Sequence, residues 1–353
     1  MIEILKGAIQ RGASDIHLKA GDYIRARVNG ELIPMTKQRI TPEQTRQLAQ
    51  QLVPEWERAN VDKLRDYDCS WGAPGVGRFR VNILRQRGTL GIIMRVIPVE
   101  IPTLEELRLP PVLADIALSN RGMVLVTGVT GSGKSTTLAA MLHHVNGTRA
   151  QHILTLEDPI EFLHKDNLSS ITQREVGTDT ESFNKGLRAA LREDPDTILV
   201  GEMRDTETID IGLKAAETGH LLFSTLHTQN AVKTISRVIA VFPPEEQEMV
   251  RVRLAESLVA VVSQRLLPRK DGQGRIAAVE VMMATSTIRE LIRDPVRIDE
   301  IPDLIAEGRE QYGSQTFDQH LMELVSQNTV SFEVAMAAAT NPSDFELKMK
   351  TLA

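Results

Sequence analysis

The feature that most constrains this chain is the decapeptide Gly128-Val-Thr-Gly-Ser-Gly-Lys-Ser-Thr-Thr137, preceded by the apolar run Met123-Val-Leu-Val-Thr127. It satisfies the full pattern Gly-x-x-x-x-Gly-Lys-Ser. Glycines let successive backbone N–H groups turn inward toward phosphate oxygens without a Cβ in the way. The helix expected after the loop adds the partial positive charge of its N-terminus. In such a cradle Lys134 reaches the β- and γ-phosphates and Ser135 holds Mg²⁺. Gly128, Thr130, Gly131, Ser132, Gly133 and Thr136 complete the binding loop. A buried strand feeding such a loop implies an α/β domain built on a parallel sheet.

The rest of the chain agrees. After residue 103, short apolar segments alternate with helical patterns. HILTLED, TILVGE and LLFSTLH read as strands; 104–119, 181–193 and 206–218 read as helices. This predicts a parallel sheet covered on both faces. From about Pro244 helices dominate, with RIAAVEVMM as one strand-like interruption. The region before residue 98 reads differently. A helix over 2–10 leads into ASDIHL, and Asn29-Gly30 sits between two alternating segments as a hairpin turn. Thr41-Pro-Glu-Gln44 is a capping box with proline at the first helical position, opening a helix through Leu52. GRFRVNILRQRGTLGIIMRVIP reads as two strands joined near Arg87-Gly88. The expected division is 1–97 for a small α/β domain, 98–103 for a proline-marked linker, and 104–353 for the nucleotide domain, helical from about 285.

Composition narrows the function. The chain has 353 residues, a net charge of −6 and 4% aromatic residues. A chain-wide basic surface for nucleic acid is absent, and no nucleic-acid partner is expected. The single cysteine, Cys69, excludes an internal disulfide and a four-cysteine zinc site. No apolar run reaches the roughly 18 residues of a membrane span. The opening residues are too weakly apolar for a signal peptide, and a reducing cytoplasm fits.

Several side chains then become candidates for chemistry. Glu202, in TILVGEMRD, ends a buried strand where a carboxylate can hold Mg²⁺ or its water. The alternative is a carboxylate closing the strand and pairing Arg204. Glu157, Asp158 and Glu161 crowd the end of another strand, where ligands gather in open α/β sheets. They suit a base or a metal-water holder, or simply an acidic loop after Pro159. His220 and His227 bracket one strand. Zinc lacks further ligands there, leaving a hydrogen bond to phosphate or carboxylate, or a packing role. Arg78 and Arg80 share one strand face. Arg95, inside GIIMRVIP, needs an anion or an exit to solvent. Phosphoryl transfer gains from arginines delivered by another domain or subunit.

Together these segments resemble the secretion ATPase superfamily of type II/type IV secretion and type IV pilus motors. GVTGSGKST resembles its Walker A box, ILTLEDPIEFLH its acidic box, ILVGEMRDTET its Walker B and AAETGHLLFSTLHT its histidine box, in the family's order. The resemblance implies a PAS-like α/β N-terminal domain and a RecA-like P-loop ATPase domain with a helical C-terminal part. It implies ATP and Mg²⁺ as cofactors, with Glu161 orienting the attacking water and Glu202 serving the metal. His220 and His227 would sense the γ-phosphate or the subunit interface. Arg80 and Arg95 would reach across from the first domain, with Arg78, Arg85 and Arg87 as further candidates. The implied partners are five further copies in a hexameric ring, an inner-membrane platform protein and, indirectly, pilin. The implied location is the cytoplasmic face of the inner membrane.

Within that family the chain is most similar to the retraction branch. It lacks a long extra N-terminal domain and the tetracysteine motif. Thr285 to Arg293, TSTIRELIR, resembles that branch's AIRNLIR motif, with Thr287 in place of alanine and Glu290 in place of asparagine. GSQTFDQHL, 313–321, resembles the same pattern. Extension or secretion motors are the neighbouring reading. A nucleotide-binding regulator that does not hydrolyse ATP is the alternative of another class.

Overall fold

A computed structural model describes residues 1–98 and 100–352. Val99, within the expected linker, lies outside the described residues. The chain divides into two compact units, Met1–Glu100 with Pro159–Leu163, and Ile101–Asp158 with His164–Ala353.

The first unit comprises α1 (Ile2–Gln10), β1 (Ala13–Lys19), β2 (Tyr23–Val28), β3 (Glu31–Arg39), α2 (Pro42–Leu52), β4 (Asp66–Ala73), β5 (Gly77–Gln86) and β6 (Thr89–Ile97). Its strands form one antiparallel sheet in the order β3-β2-β1-β6-β5-β4. The fold is the expected PAS-like α/β arrangement. Asn29 and Gly30 both have positive φ, at 50° and 86°, which is what a two-residue hairpin turn demands. At α2 the Thr41 side chain accepts from the Gln44 N–H, while Gln44 accepts from the Thr41 N–H at 2.8 Å. Leu5, Ala49, Phe79, Val81, Ile83 and Met94 belong to one buried cluster. Strand alternation therefore sends Arg80 and Arg95 to the opposite, polar face. A 3₁₀ segment, Glu55–Lys63, and β4 fill a stretch with no clear sequence signal.

The second unit comprises α3 (Val112–Ala117), β7 (Gly122–Thr127), α4 (Lys134–Thr148), β8 (His152–Glu157), β9 (Ser170–Glu175), α5 (Phe183–Ala190), β10 (Thr197–Val200), α6 (Thr206–Glu217), β11 (Leu221–Leu226), α7 (Ala231–Ala240), α8 (Gln247–Ser257), β12 (Leu258–Pro268) and β13 (Arg275–Met283). It ends in α9 (Ser286–Arg293), α10 (Ile301–Glu307), α11 (Arg309–Tyr312), α12 (Phe317–Ser326), α13 (Phe332–Ala338) and α14 (Pro342–Leu352). The sheet order is β13-β12-β7-β11-β10-β8-β9, parallel except for the antiparallel pair β12–β13. This is the RecA-like P-loop core with a helical C-terminal part. Among the described residues three buried clusters fill it, one of them joining Leu267 and Ile276 to Phe317, Leu321 and Phe345 of the C-terminal helices. Of the other two, one holds Met123 and Leu125 with α5, α6, α8 and α9, and one holds Val124 and Val126 with α3 and α4.

Two sequence expectations fail here. Residues 104–119 do not form one helix; only Val112–Ala117 does. Pro110 and Pro111 remove donors and restrict the residue before them, and Arg108 takes a φ of 53°. The second failure lies after Pro244, where helices are expected with RIAAVEVMM as the one strand-like interruption: residues 254–267, LAESLVAVVSQRLL, hold another strand. The segment leaves α8 at Ser257 and continues as the 11-residue strand β12, lying between β7 and β13. Burial on both faces makes such a strand uniformly apolar, so its period does not distinguish it from a helix.

Candidate nucleotide site

The parallel register brings four strand ends to one edge of the sheet. Thr127 pairs with Leu226, and Val200 pairs with both Ser224 and Leu156. The residues just beyond are therefore Gly128, His227, Glu202 and the Glu157–Asp158 pair. This carboxyl edge is where open α/β sheets bind ligands.

The phosphate loop runs from buried β7 into α4. Gly128 has a φ of 147°, and a Cβ there would stand 2.5 Å from both the Gln264 carbonyl and Ser132 Oγ. The space at this corner admits only glycine. Lys134 is buried, and its Nζ donates to the carbonyls of Gly128 (2.9 Å) and Val129 (3.2 Å). Its ammonium therefore lies against the loop. Ser132 Oγ is buried without a hydrogen-bond partner. A glycine cradle, a lysine over it and an unpaired hydroxyl within it fit the phosphates of a nucleotide.

β10 is only four residues long, because Gly201 turns out of the ladder while its N–H still bonds the Leu156 carbonyl at 2.7 Å. That exit presents Glu202. Its Oε1 lies 2.5 Å from Arg204 Nε and 3.3 Å from His227 Nε2. Burial alone would raise its pKa. The Arg204 hydrogen bond and the neighbouring His227 outweigh burial and hold the carboxyl below its ordinary range. The Arg204 pairing weighed from the sequence is thus present, alongside a histidine. An ionised carboxylate facing the loop edge, with the Ser135 hydroxyl at the first turn of α4, is a donor set that suits Mg²⁺. Glu157 is tied to the sheet: its Oε1 accepts from Thr155 Oγ1 at 2.7 Å and from Gln173 Nε2 at 3.1 Å.

The remaining candidates are distributed differently. Glu161 is exposed and belongs to the Pro159–Leu163 segment counted with the first unit. His220 precedes β11, whereas His227 follows it. The two histidines stand at opposite ends of a six-residue strand, roughly 20 Å apart by strand rise. His220 Nδ1 lies 3.0 Å from the Ala215 carbonyl and 3.3 Å from Thr218 Oγ1, closing the end of α6. It is not brought to the phosphate loop of its own chain. In the first unit Arg80 and Arg95 are directly opposite across β5 and β6. Arg95 Nε donates to Asp15 Oδ1 at 2.9 Å while its side chain stays 69% exposed. The anion and the solvent exit are both present. Arg78 bonds Ser70 Oγ at 2.7 Å. Arg85 is committed to the carbonyls of Leu64, Asp62 and Gly88, and Arg87 serves the turn with a φ of 48°.

One part of the site has no sequence signal. A cavity of about 430 Å³ adjoins Gly133 and Thr136, with walls from Leu107, Leu109, Leu266, Ile276, Arg269 and Arg275. Apolar walls with the three arginines Arg108, Arg269 and Arg275 beside the loop suit a purine and its ribose. These residues come from the irregular segment before α3 and from β12 and β13, which only the fold assembles.

Residues 1–340 match the family described as Type II/IV secretion system protein. The chain belongs to that family. It is 47% identical to the "Type IV pilus retractation ATPase PilT" of Pseudomonas aeruginosa, over 97% of this chain and 99% of that one. It is 46% identical to the "Twitching motility protein" of Neisseria gonorrhoeae, over 93% of this chain and 89% of that one. A crystal structure of the pilus retraction motor PilT with bound ADP superposes with a TM-score of 0.89 at 44% identity, covering 98% of each chain. Among the described residues, no helix is long and apolar enough to cross a membrane.

Proposed function

We propose that the chain is an ATPase motor that hydrolyses ATP to drive type IV pilus retraction, and hence twitching motility. The carrying observation is the near end-to-end likeness to a retraction ATPase, joined to a phosphate loop, Glu202 and His227 gathered on one sheet edge.

In this reading Gly128, Thr130, Gly131, Ser132, Gly133 and Thr136 hold the phosphates, and Lys134 neutralises the β- and γ-oxygens. Ser135 and Glu202 would hold Mg²⁺, Glu202 partly through water. Bound there, the ion supplies charge neutralisation on the transferring phosphoryl group. Glu161 orients and deprotonates the attacking water. Arg80 and Arg95 of a neighbouring subunit stabilise the charge that builds up on the γ-phosphate. His227 keeps Glu202 ionised and oriented. His220, at the far edge, serves an interface role. The working form is a homohexamer on the cytoplasmic face of the inner membrane, turning a platform protein so that pilin returns to the membrane. Residues 98–103 act as the hinge.

The decisive experiment is deletion and complementation in the source cell, scoring surface pili and twitching. Cells without a retraction motor stay piliated and do not twitch. Bald cells on deletion would instead assign an extension motor.

A further inference from the structure

Glu280 lies on β13, two strands away from the phosphate loop, and the mechanism above does not use it. Its Oε1 accepts the Ala231 N–H at 2.8 Å, the first amide of α7. Across the β12–β13 ladder Glu280 is directly opposite Ser263, a neighbour that favours the charged form of the same carboxyl. Ser263 Oγ in turn accepts from Thr127 Oγ1 at 2.9 Å. Thr127 is the residue before Gly128, and Ala231 is four residues beyond His227. One side chain thus joins the helix that starts beside His227 to the cross-strand position of Ser263, which bonds the base of the phosphate loop.

We propose that Glu280 is a positioning residue of the nucleotide site: its carboxylate registers the start of α7, and with it the His227–Asn230 turn, against the strand that ends in the phosphate loop. This inference rests on the ATPase reading above. α7 already has a local cap, because Asn230 accepts from the Lys233 N–H at 2.9 Å. Glu280 adds a second anchor from across the sheet, and a negative charge there complements the helix N-terminus. The surroundings make that charge costly. From β12, Arg265 attracts it; from α12, Asp318 repels it, and His320 of the same helix accepts from the adjacent Val279 N–H at 2.9 Å. From α7 the contact is the Ala231 N–H. Burial dominates and pushes the Glu280 carboxyl up to about 7. Protonation removes the anchoring charge near neutrality, so the anchor is full only on the alkaline side.

The test compares the full chain with Glu280→Gln and Glu280→Asp, from about pH 5.5 to about 8.5. Wild-type kcat is expected to rise through a limb near neutrality that Glu280→Gln lacks and Glu280→Asp retains. On the alkaline plateau Glu280→Gln is expected to lose about tenfold in kcat, with KM for ATP within about twofold. A Glu280→Gln profile that superposes on the wild type overturns the proposal, as does a change confined to KM. Hydrogen exchange at Ala231–Thr234 in the nucleotide-free chain is the second arm. Protection that grows with pH in the wild type, beyond the intrinsic exchange rate, and is flat in Glu280→Gln supports the proposal; identical protection in both overturns it. A wild-type chain that hydrolyses no ATP would sink the motor reading, and the exchange arm would then decide this one.

Discussion

His227 Nε2 stands 3.3 Å from Oε1 of Glu202, and the two residues come from the ends of adjacent strands. Arg204 Nε reaches the same oxygen at 2.5 Å. One carboxylate oxygen thus faces two donors at the edge that carries the phosphate loop. If Glu202 serves the metal as proposed, Glu202→Gln should lower ATP hydrolysis by roughly 100-fold or more, because its charge is lost. His227→Gln, which keeps a donor, should be milder than His227→Ala. Steady-state kinetics at saturating Mg·ATP checks both. Equal rates for the two His227 variants would count against the hydrogen bond.

Lys134 and Glu161 should fail in different ways. Lys134→Ala should abolish binding of a fluorescent ATP analogue along with hydrolysis. Glu161→Gln should bind the analogue normally and lose about 10²- to 10⁴-fold in turnover, the range for a general base. A Glu161→Gln enzyme with normal turnover rejects the water-orienting role.

Arg80 and Arg95 face each other across β5 and β6, yet only Arg95 has Asp15 beside it. Alanine at either should slow hydrolysis by the assembled ring by roughly 10³-fold if both serve the γ-phosphate in trans. Arg95→Ala should cost less than about 1 kcal/mol of stability, since its side chain is mostly solvated. Hydrolysis rates and denaturant midpoints separate the two effects. Unchanged rates would return both arginines to a solvated basic face.

Acid should destabilise the second unit through His164. Burial, with His143 adding to it, lowers its pKa from 6.5 to about 4. The folded state therefore prefers neutral imidazole. The stability tied to that form is full above about pH 6.5 and is lost as pH falls toward 4. At pH 5 the loss is about 2 kcal/mol, and His164→Gln should remove it. In global unfolding Glu280 has the reverse sign: burial disfavours its charged form, so its net contribution to stability is full below about pH 4.5 and fades as pH rises through about 7, even though the charged form makes the stronger bond to the Ala231 N–H. Urea midpoints across this range, wild type against each variant, give both slopes.

Arg289 should matter for folding rather than for chemistry. Its guanidinium donates to the carbonyls of Ala284 (2.9 Å), Glu256 (2.5 Å) and Leu258 (2.7 Å), and also to that of Ala255. It closes the C-terminus of α8 where the chain turns into β12. Arg289→Ala should cost about 3 kcal/mol, and Arg289→Lys should recover only part of it, because an ammonium cannot span the fork. Thermal unfolding of the purified variants measures this. A wild-type melting profile for Arg289→Ala would refute it.

Much of the fold was legible because its signals are local. The hairpin at Asn29-Gly30, the capping box at Thr41 and the strand–loop–helix around Gly128 each lie within a few residues, and each is stabilised by bonds among those residues. The segment 104–119 misled because its apolar spacing looks helical while Pro110 and Pro111 forbid one helix. β12 was hidden because a strand apolar on both faces carries no alternation.

The histidine pair shows the limit most plainly. His220 and His227 share one sequence motif, but a six-residue strand carries them to opposite edges of the sheet, so only His227 meets Glu202. Sequence alone determined the family and the strand–loop–helix around Gly128, since these depend on which residues adjoin along the chain. Only the tertiary structure decided which side chains share an edge, what walls the cavity beside Gly133, and that Glu280 stands opposite Ser263 while bonding the start of α7. Those relations depend on strand order and register, which arise when distant segments bury apolar surface together and must satisfy one another's polar groups.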